Sequence, residues 1–273
     1  MEKAVGGDRR TSTYRTHRIT ARDWLDGPVA RRAPAPLTAL LMMGWLSVVL
    51  ALDAGGSHWL QRGLGLATWL VLAMVLRRVD PLVRVQTAVV VVFATIVEFV
   101  FSPTLQVYEY RFDNVPMYVP PGHGLVYLSA FALGHAAFVE RHRRACGLLV
   151  VVTGGLWAAY GLFLAERPDA LGAFWYACLV LFLVFGPSKA VYLGAFPVVS
   201  HLELLGTALG TWTWGSHDPT GWVTIGNPPS GAAGGYAWFD LVALLLAPVL
   251  LSAFNGRTTG SRTVPAPERV GVR

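Results

Sequence analysis

The chain has 273 residues, of which 54% are hydrophobic and only 14% are charged, and its mean hydropathy is +0.49. Soluble domains carry about a quarter charged residues, so this composition argues against a soluble cytosolic enzyme. Residues 1–36 hold eight Lys or Arg and residues 255–273 hold four Arg, so basic charge is concentrated at both ends. We therefore predict a basic cytoplasmic N-terminal tail at 1–36, a single transmembrane helical domain at 37–254 and a basic disordered C-terminal tail at 255–273.

Apolar runs divide the central region. A membrane-spanning helix needs about 20 mainly apolar residues, and residues 37–254 have room for eight such helices and their connections. The runs are Leu37–Leu52, Trp59–Leu76, Leu82–Phe101, Gly122–Val139, Cys146–Leu164, Leu171–Gly186, Ala190–Gly210 and Tyr236–Phe254. The sequence thus predicts an all-α polytopic integral membrane protein with about eight transmembrane helices.

The basic residues predict an orientation. With the N-terminal tail inside, nineteen Lys or Arg fall on the cytoplasmic side and three, Arg62, Arg111 and Arg167, fall outside. The positive-inside rule favours that arrangement, so both termini are expected in the cytoplasm. Twenty Arg against two Lys suggest GC-rich coding and hence a bacterial plasma membrane. Basic tails beside spans interact with anionic lipid headgroups, so no nucleic-acid partner is expected.

Two connections, Ser102–Pro121 and Thr211–Gly235, are longer than the usual link between packed helices, and the topology makes both extracytoplasmic. In the first, Tyr108–Asp113 alternates aromatic with charged residues, which is the signature of a strand. In the second, the turn Ser216–Gly221 precedes the β-prone run Trp222–Ile225, which predicts a short β-hairpin. Both loops mix aromatic and polar residues, so we expect them to pack against each other over the outer mouth of the bundle.

These loops carry candidate substrate-binding residues. Arg111 is a candidate anchor for an anionic group. An aromatic belt at the membrane interface would explain the tryptophans alone, but it does not explain the charges beside the rings. The predicted substrate-binding residues are Tyr108, Tyr110, Arg111, Asp113, Trp212 and Trp214.

Five titratable residues from four predicted spans fall at similar depth in the outer half of the membrane. An ionisable residue inside a span costs at least about 2.5–3.5 kcal/mol on insertion scales, so each requires a partner, water or a function. We predict that these residues form a reactive or ligand-binding core, with the aspartate in support. They are Glu98, His123, His201, Glu203 and Asp240.

Glu203 and His201 are separated by about 200° on a straight helix, so they are not expected to share a face. A kink at Pro197 would allow both to line one cavity. Gly206 and Gly210 follow Glu203 in a stripe of small residues that is typical of close helix packing. Glu203 is therefore expected to face protein and not lipid.

The chemistry of this group has two interpretations. Imidazole and carboxylate side chains are ligands for a divalent metal, with His123, His201 and Glu203 as the candidate set. The same groups also suit metal-free acid–base catalysis. The sequence contains no His-Glu-x-x-His, Gly-x-Ser-x-Gly, Walker or dinucleotide-binding motif, so the cofactor stays open.

We therefore expect a polytopic membrane enzyme with an outer-leaflet-facing pocket that acts on a lipid or isoprenoid-like substrate, by acid–base or metal-assisted chemistry. A transporter or channel that uses the carboxylates of Glu98, Glu203 and Asp240 is the first alternative. A non-catalytic assembly partner or sensor is the second.

Overall fold

The computed structural model describes residues 36–259 and, among these, the side chains of 36–253. The tails predicted at 1–36 and 255–273 lie outside this range, except that Pro36 begins the first helix and 255–259 continue the last one. The protein is mostly helical, and a small two-stranded sheet is its β-structure within these residues. Fold class is thus helical, as the sequence predicts.

The described residues form nine α-helices and two short strands, with a π-helical turn and loops between them. The helices are α1 (Pro36–Ala54), α2 (His58–Leu76), α3 (Pro81–Phe99), α4 (Val119–Gly134), α5 (Ala137–Arg141), α6 (Arg143–Phe163), α7 (Ala170–Phe185), α8 (Lys189–Ala208) and α9 (Ala232–Thr259). A π-helical turn at Val100–Thr104 follows α3, and the strands are β1 (Tyr108–Tyr110) and β2 (Trp212–Trp214). We call the end of the bundle that carries the strands the sheet end.

Six helices are long and apolar enough to cross a membrane: α1, α2, α3 with its π-helical turn, α6, α8 and α9. They indicate a membrane-embedded, multi-pass protein. The predicted spans Gly122–Val139 and Leu171–Gly186 correspond to α4 and α7, which have only 16 residues each. α4 begins earlier than predicted, near two prolines suited to a first helical turn, and it ends before the separate helix α5.

Outward-facing side chains on the surrounding helices are apolar. Phe163 on α6 is 77% exposed and Phe185 on α7 is 80% exposed. Large apolar surfaces of this kind are unfavourable in water and typical of helices that face lipid. The surface chemistry therefore agrees with the membrane-embedded assignment.

Helix α4 lies at the centre of the bundle, since 14 of its 16 residues are buried. It packs against α1, α2, α3 and α8. Glycines permit the close approach to α8: a Cβ atom at Gly134 would lie 1.8 Å from the Ala190 carbonyl oxygen, and one at Gly194 would lie 2.0 Å from that of Ala130. This packing carries His123, in the first turns of α4, into the interior.

The two long loops meet in the sheet. Strands β1 and β2 pair antiparallel, with Tyr108 opposite Trp214 and Tyr110 opposite Trp212. The expected contact between the loops is therefore present. The hairpin predicted within the second loop is not a strand pair in the structure, where an isolated bridge joins His217 to Thr224. The aromatic side chains of one loop find their cross-strand partners in the other loop, which favours pairing between loops.

Asp169, just before α7, fixes the glycine- and proline-rich part of the second loop. Its Oδ1 atom accepts hydrogen bonds from the backbone N–H groups of Gly172 (2.9 Å) and Gly226 (2.8 Å). Its Oδ2 atom accepts from the backbone N–H and the hydroxyl of Ser230, both at 2.7 Å. Three of these four donors belong to the second loop, and the fourth lies in the first turn of α7. This buried carboxylate therefore joins the loop to the helix.

Arg167 completes this loop anchor, which we define as Arg167 and Asp169. Its guanidinium donates to the backbone carbonyls of Trp214, Gly215 and Ile225. The arginine thus joins the connection between α6 and α7 to β2 and to the segment that follows it. The position of β2 over the bundle is consequently fixed from outside the sheet.

Candidate functional site

A cavity of about 280 Å³ lies beneath the sheet. Its wall is mainly apolar and comes from α1, α3, α4, α7, α8 and α9, with the four aromatic residues of the strands above. Besides tyrosines, the described wall carries the carboxyl groups of Glu98 and Glu203 and the imidazole of His123. The side chain of Trp238, which lines the cavity, is 47% exposed, so the wall is thin at this point.

Glu98 is held at the end of α3 by both strand tyrosines. Its Oε2 atom accepts hydrogen bonds from the hydroxyls of Tyr108 and Tyr110, each at 2.8 Å. The π-helical turn after α3 redirects the chain so that β1 returns over this carboxylate. The alternation of the strand puts both rings on its inner face and leaves Glu109 exposed. This is the face separation that the sequence predicts for these three residues.

Burial raises the pKa of the Tyr108 and Tyr110 hydroxyls well above the usual value, and the charge of Glu98 raises both further. Both hydroxyls therefore keep their protons at physiological pH. Each remains a hydrogen-bond donor to the carboxylate.

His123 is paired through one ring nitrogen and free at the other. Its Nε2 atom lies 2.7 Å from Oε1 of Glu98, while Nδ1 is buried without a hydrogen-bond partner among the described residues. The rings of Tyr236 and Phe239 pack around the imidazole at centroid distances of 5.2 and 5.6 Å. If Nε2–H donates to Glu98, neutral His123 has a lone pair on Nδ1. This atom is available for proton transfer or for a ligand.

Glu203 on α8 is held by the other strand. Its Oε2 atom accepts hydrogen bonds from the indole N–H groups of Trp212 and Trp214, each at 3.1 Å. Gly206 makes room for the Trp212 ring, because a Cβ atom there would lie 2.0 Å from the indole. The Tyr236 hydroxyl also interacts with the Glu203 carboxyl group. Glu203 is 2% exposed, so it faces protein as predicted.

The sheet thus gives each carboxyl group a pair of ring donors from one strand. Tyrosines of β1 hold Glu98, and tryptophans of β2 hold Glu203. Glu98 and His123 are both close enough to Glu203 to interact with it electrostatically. The arrangement places one unpartnered imidazole nitrogen and two carboxyl groups around one apolar space, which is suited to moving protons.

The structure does not bring His201 to this cavity. Its side chain is exposed, and its Nε2 atom lies 2.9 Å from the hydroxyl of Ser47 on α1. α8 continues through Pro197, and within it Glu203 is buried while His201 is exposed, so the two do not share a face. Among the described residues there is no group of three or more His, Cys, Asp or Glu that could hold a metal. The candidate set of His123, His201 and Glu203 therefore does not fit a metal ion.

Asp240 is buried but does not line the cavity. Tyr127 and Tyr192 interact with it electrostatically, and the Tyr127 hydroxyl donates to Oε1 of Gln86 at 2.9 Å. The Tyr192 hydroxyl is buried without a hydrogen-bond partner in the described part of the chain. We call these four residues, Gln86, Tyr127, Tyr192 and Asp240, the inner polar cluster. It lies farther from the sheet than Glu98 and His123.

Arg111 and Asp113 occupy places other than the expected ones. Arg111 donates to the carbonyl of Gly56 at 2.7 Å, and its guanidinium lies 3.7 Å from Oδ1 of Asp53. It does not line the cavity, so an anion-anchoring role is not supported. Asp113 is exposed and has a positive φ of 54°, which fits a turn after the strand. β1 ends at Tyr110, and the predicted alternation stops there.

Sequence reasoning missed several residues of this region. Asp53 is buried near the end of α1, where it accepts hydrogen bonds from Gln61 on α2 and from Tyr118 in the first loop, at 3.0 Å each. Burial and the charge of Asp53 raise the pKa of the Tyr118 hydroxyl. Tyr236, between Glu203 and His123, was also missed. The sequence signal that could have identified Tyr236 is its position, one helical turn before Asp240 and directly after a glycine-rich stretch.

Comparison with known proteins gives no match to a family, to a curated protein or to a solved structure. The function is therefore inferred from the geometry and the chemistry of the cavity.

Proposed function

We propose that this protein is a membrane enzyme that performs acid–base chemistry on a lipid or isoprenoid-like substrate in the cavity beneath the sheet. One observation carries the proposal: His123 is paired with Glu98 through Nε2, its Nδ1 atom has no described partner, and it shares an apolar cavity with Glu203. A positioned imidazole with one free nitrogen is suited to general acid–base catalysis.

The energetic cost of the site supports a chemical role. Two carboxyl groups are kept inside a helical membrane bundle, and His123 is the basic side chain on the described cavity wall. Apolar residues at the same positions would avoid a cost of several kcal/mol per charge. Proton transfer at these groups would explain why the bundle contains them.

The shape of the cavity supports a lipid-like substrate. Most of the wall is apolar, and the volume of about 280 Å³ is near the lower end of the ~300–1,000 Å³ that is usual for small-molecule sites. We propose that the end of a substrate enters this space while its remaining hydrocarbon passes Trp238 toward the outer leaflet. Because the described ligand set does not fit a metal, the acid–base form of the reaction is the one we propose.

The test compares lipids made by wild type and by two matched variants in a host strain that lacks the gene. Glu203→Gln removes the acidic group from the cavity, whereas Glu109→Gln makes the same change on the exposed face of β1. Mass spectrometry of total lipid extracts should find a substrate–product pair in which product appears with wild type and Glu109→Gln. Glu203→Gln membranes should contain substrate without product.

Identical lipid extracts from all three strains and from the empty host would contradict the proposal. The assembly-partner or sensor hypothesis would then move ahead. Copurification of a second protein with wild type and with Glu203→Gln alike would be its supporting result.

Proton-coupled transport is the second candidate, because a specific observation favours it. The inner polar cluster adds further polar groups to the interior of the bundle, where Asp240 and Tyr192 are buried. Buried acidic and hydroxyl groups inside a membrane bundle are typical of proton relays. Proton uptake by liposomes containing wild type, and its loss in Asp240→Asn, would favour transport. Product formation without uptake would favour the enzyme.

We also propose that α4 and α7 cross the membrane together with the six longer helices, so that eight helices place both termini in the cytoplasm. The nineteen-to-three division of basic residues supports this orientation. Single cysteines at Glu109, Trp222 and Arg143, in a background with Cys146 and Cys178 replaced, would test it. A membrane-impermeant reagent should label the first two in intact cells and should not label the third.

A further inference from the structure

The charge of the cavity restricts what it can bind. Its described wall holds the carboxyl groups of Glu98 and Glu203 and contains no Lys or Arg. The guanidinium of Arg111 is directed to Gly56 and Asp53 instead. A phosphate or carboxylate group inside this space would face acidic groups without a Lys or Arg to compensate its charge, and like charges at a binding site cost several kcal/mol.

The hydrogen-bond donors of the cavity impose a second restriction. Reactions that build negative charge on a substrate oxygen, such as acyl transfer, need free donors aimed at that oxygen. Four ring donors above the cavity are already committed to its own carboxyl groups. They are the hydroxyls of Tyr108 and Tyr110 and the indole N–H groups of Trp212 and Trp214. The site is therefore poorly equipped to stabilise an oxyanion.

The same features suit a substrate that becomes positively charged. The rings of Tyr236 and Phe239 pack beside His123 on the cavity wall, and aromatic faces attract cations. The carboxylate of Glu98, and that of Glu203 once it has given up its proton, would add to this attraction. An electrostatic environment arranged in this way lowers the energy of a transition state with cationic character.

We propose that the substrate is an uncharged unsaturated hydrocarbon lipid, and that the reaction moves a carbon–carbon double bond through a carbocation. This inference rests on the proposed function and specifies its substrate class. Glu203, in its acid form, gives its proton to one alkene carbon: the O–H bond breaks, the π electron pair forms the new C–H bond, and the neighbouring carbon becomes cationic. The Nδ1 lone pair of His123 then removes a proton from a carbon next to the cation, and those C–H electrons form the new double bond.

The hydrogen bonds of the site support these two roles. When Glu203 loses its proton, the N–H groups of Trp212 and Trp214 already donate to Oε2 and stabilise the carboxylate that remains. When His123 gains a proton, Glu98 beside Nε2 stabilises the imidazolium. One proton is gained and one is lost, so the reaction needs no oxidant or other co-reactant. Proton exchange with water, onto Glu203 and from His123, restores the starting state.

Membranes incubated in D2O test the reaction. The product of wild type should carry one carbon-bound deuterium that persists after return to H2O, and its molecular formula should otherwise equal that of the substrate. A wild-type product without carbon-bound deuterium, or one that differs from its substrate by an acyl or phosphate group, would overturn this inference and leave the enzyme proposal standing. Absence of any wild-type-specific lipid pair would overturn both.

Binding tests the charge selectivity without knowledge of the substrate. The probes are decyltrimethylammonium, decanol and decyl phosphate, offered to the protein in phosphatidylcholine nanodiscs, with empty nanodiscs subtracted. Wild type and Glu109→Gln should bind the ammonium about tenfold more tightly than decanol. Binding of decyl phosphate should be weaker than that of decanol.

A double variant separates charge from folding. Glu98→Gln with Glu203→Gln should keep its affinity for decanol, which reports an intact cavity, and lose the preference for the ammonium. Binding of decyl phosphate by wild type as tight as that of the ammonium would overturn the inference. An ammonium preference that survives in the double variant while decanol still binds would overturn it as well.

Discussion

Two buried carboxylates near the sheet end have opposite surroundings. Asp169 accepts four hydrogen bonds, from backbone N–H groups and a serine hydroxyl of the second loop and of the first turn of α7. Glu203 accepts two hydrogen bonds from indole rings and lies on the wall of a cavity. Burial alone therefore does not distinguish a residue that maintains the fold from one that is available for chemistry. The two kinds of residue differ in their hydrogen-bond partners and in whether they adjoin a cavity.

Glu98 and Asp53 extend this comparison to the first loop. Asp53 is enclosed by the side chains of Gln61, Tyr118 and Arg111, and it joins α1 to that loop. Glu98 also has tyrosine partners, but its second oxygen holds His123, whose other nitrogen is free among the described residues. Asp53 and Asp169 thus belong to the support of the sheet. Glu98 and Glu203 belong to the cavity that the sheet covers.

The largest expected effect comes from breaking the loop anchor. Asp169→Asn replaces one of the two acceptor oxygens with an N–H donor, which faces either the N–H groups of Gly172 and Gly226 or the two donors of Ser230. Leaving buried donors unpaired should lower the free energy of unfolding by about 3 kcal/mol. Thermal unfolding of the purified protein in detergent measures this change. Unaltered stability would contradict the structural role of Asp169.

His123→Gln should affect chemistry far more than folding. The amide of Gln can still donate to Glu98, but it cannot act as a base. Product formation should fall by about 10²–10⁴-fold, which is the usual contribution of a positioned acid–base group. The melting temperature should stay near that of wild type. Product formation within a few-fold of wild type would remove His123 from the reaction.

These comparisons also show which parts the sequence could predict. The cost of burying charge in a membrane pointed to Glu98, His123 and Glu203 together, and the structure brings these three to one cavity. The same reasoning also selected His201, although its angular separation from Glu203 already argued that the two occupy different faces. Asp169 was not recognised, because three of its four donors are backbone N–H groups, which leave no residue pattern in the sequence.

Pairing between distant segments was the harder part of the fold to predict. The alternation of aromatic residues predicted inward-facing rings at Tyr108 and Tyr110, but it could not say that their strand partners lie about a hundred residues later. The prediction that Arg111 anchors an anionic substrate group failed to consider contacts with a distant segment in the same way. Charge alone does not reveal that Arg111 contacts Asp53, at the end of α1, and the Gly56 carbonyl, in the connection that follows α1.

Arg111→Gln tests whether Arg111 stabilises the fold near the sheet without contributing to the cavity. Loss of the hydrogen bond to Gly56 and of the cation beside buried Asp53 should lower the free energy of unfolding by about 2 kcal/mol. Relative affinities for decanol and decyl phosphate in nanodiscs should not change, because Arg111 does not line the cavity. A selective loss of decyl phosphate binding would instead restore its interpretation as an anion anchor.

The smallest effect is expected at Asp218, in the exposed turn of the second loop. The Thr220 hydroxyl, followed by the backbone N–H group of Val223, lowers the pKa of this carboxyl group. A lowered pKa in the folded state means that the ordering of the turn is present above the unfolded value of about 3.9 and is lost as the pH falls through the folded value. Amide exchange at Val223, corrected for its intrinsic pH dependence, should rise at that point in wild type.

In Asp218→Asn, amide exchange at Val223 should already be faster at neutral pH, and product formation should be unchanged. Equal exchange rates in the variant and in wild type would show that the carboxylate does not order the turn.

The most direct test measures stability and product formation on the same preparations of Glu203→Gln and Asp169→Asn. The account predicts that Glu203→Gln melts close to wild type, because the amide oxygen of Gln can still accept both indole hydrogen bonds, and that it forms no product. Asp169→Asn should melt lower, and the fraction that remains folded should still form product. A Glu203→Gln protein that forms product at the wild-type rate would contradict the central claim that this carboxyl group is kept for chemistry.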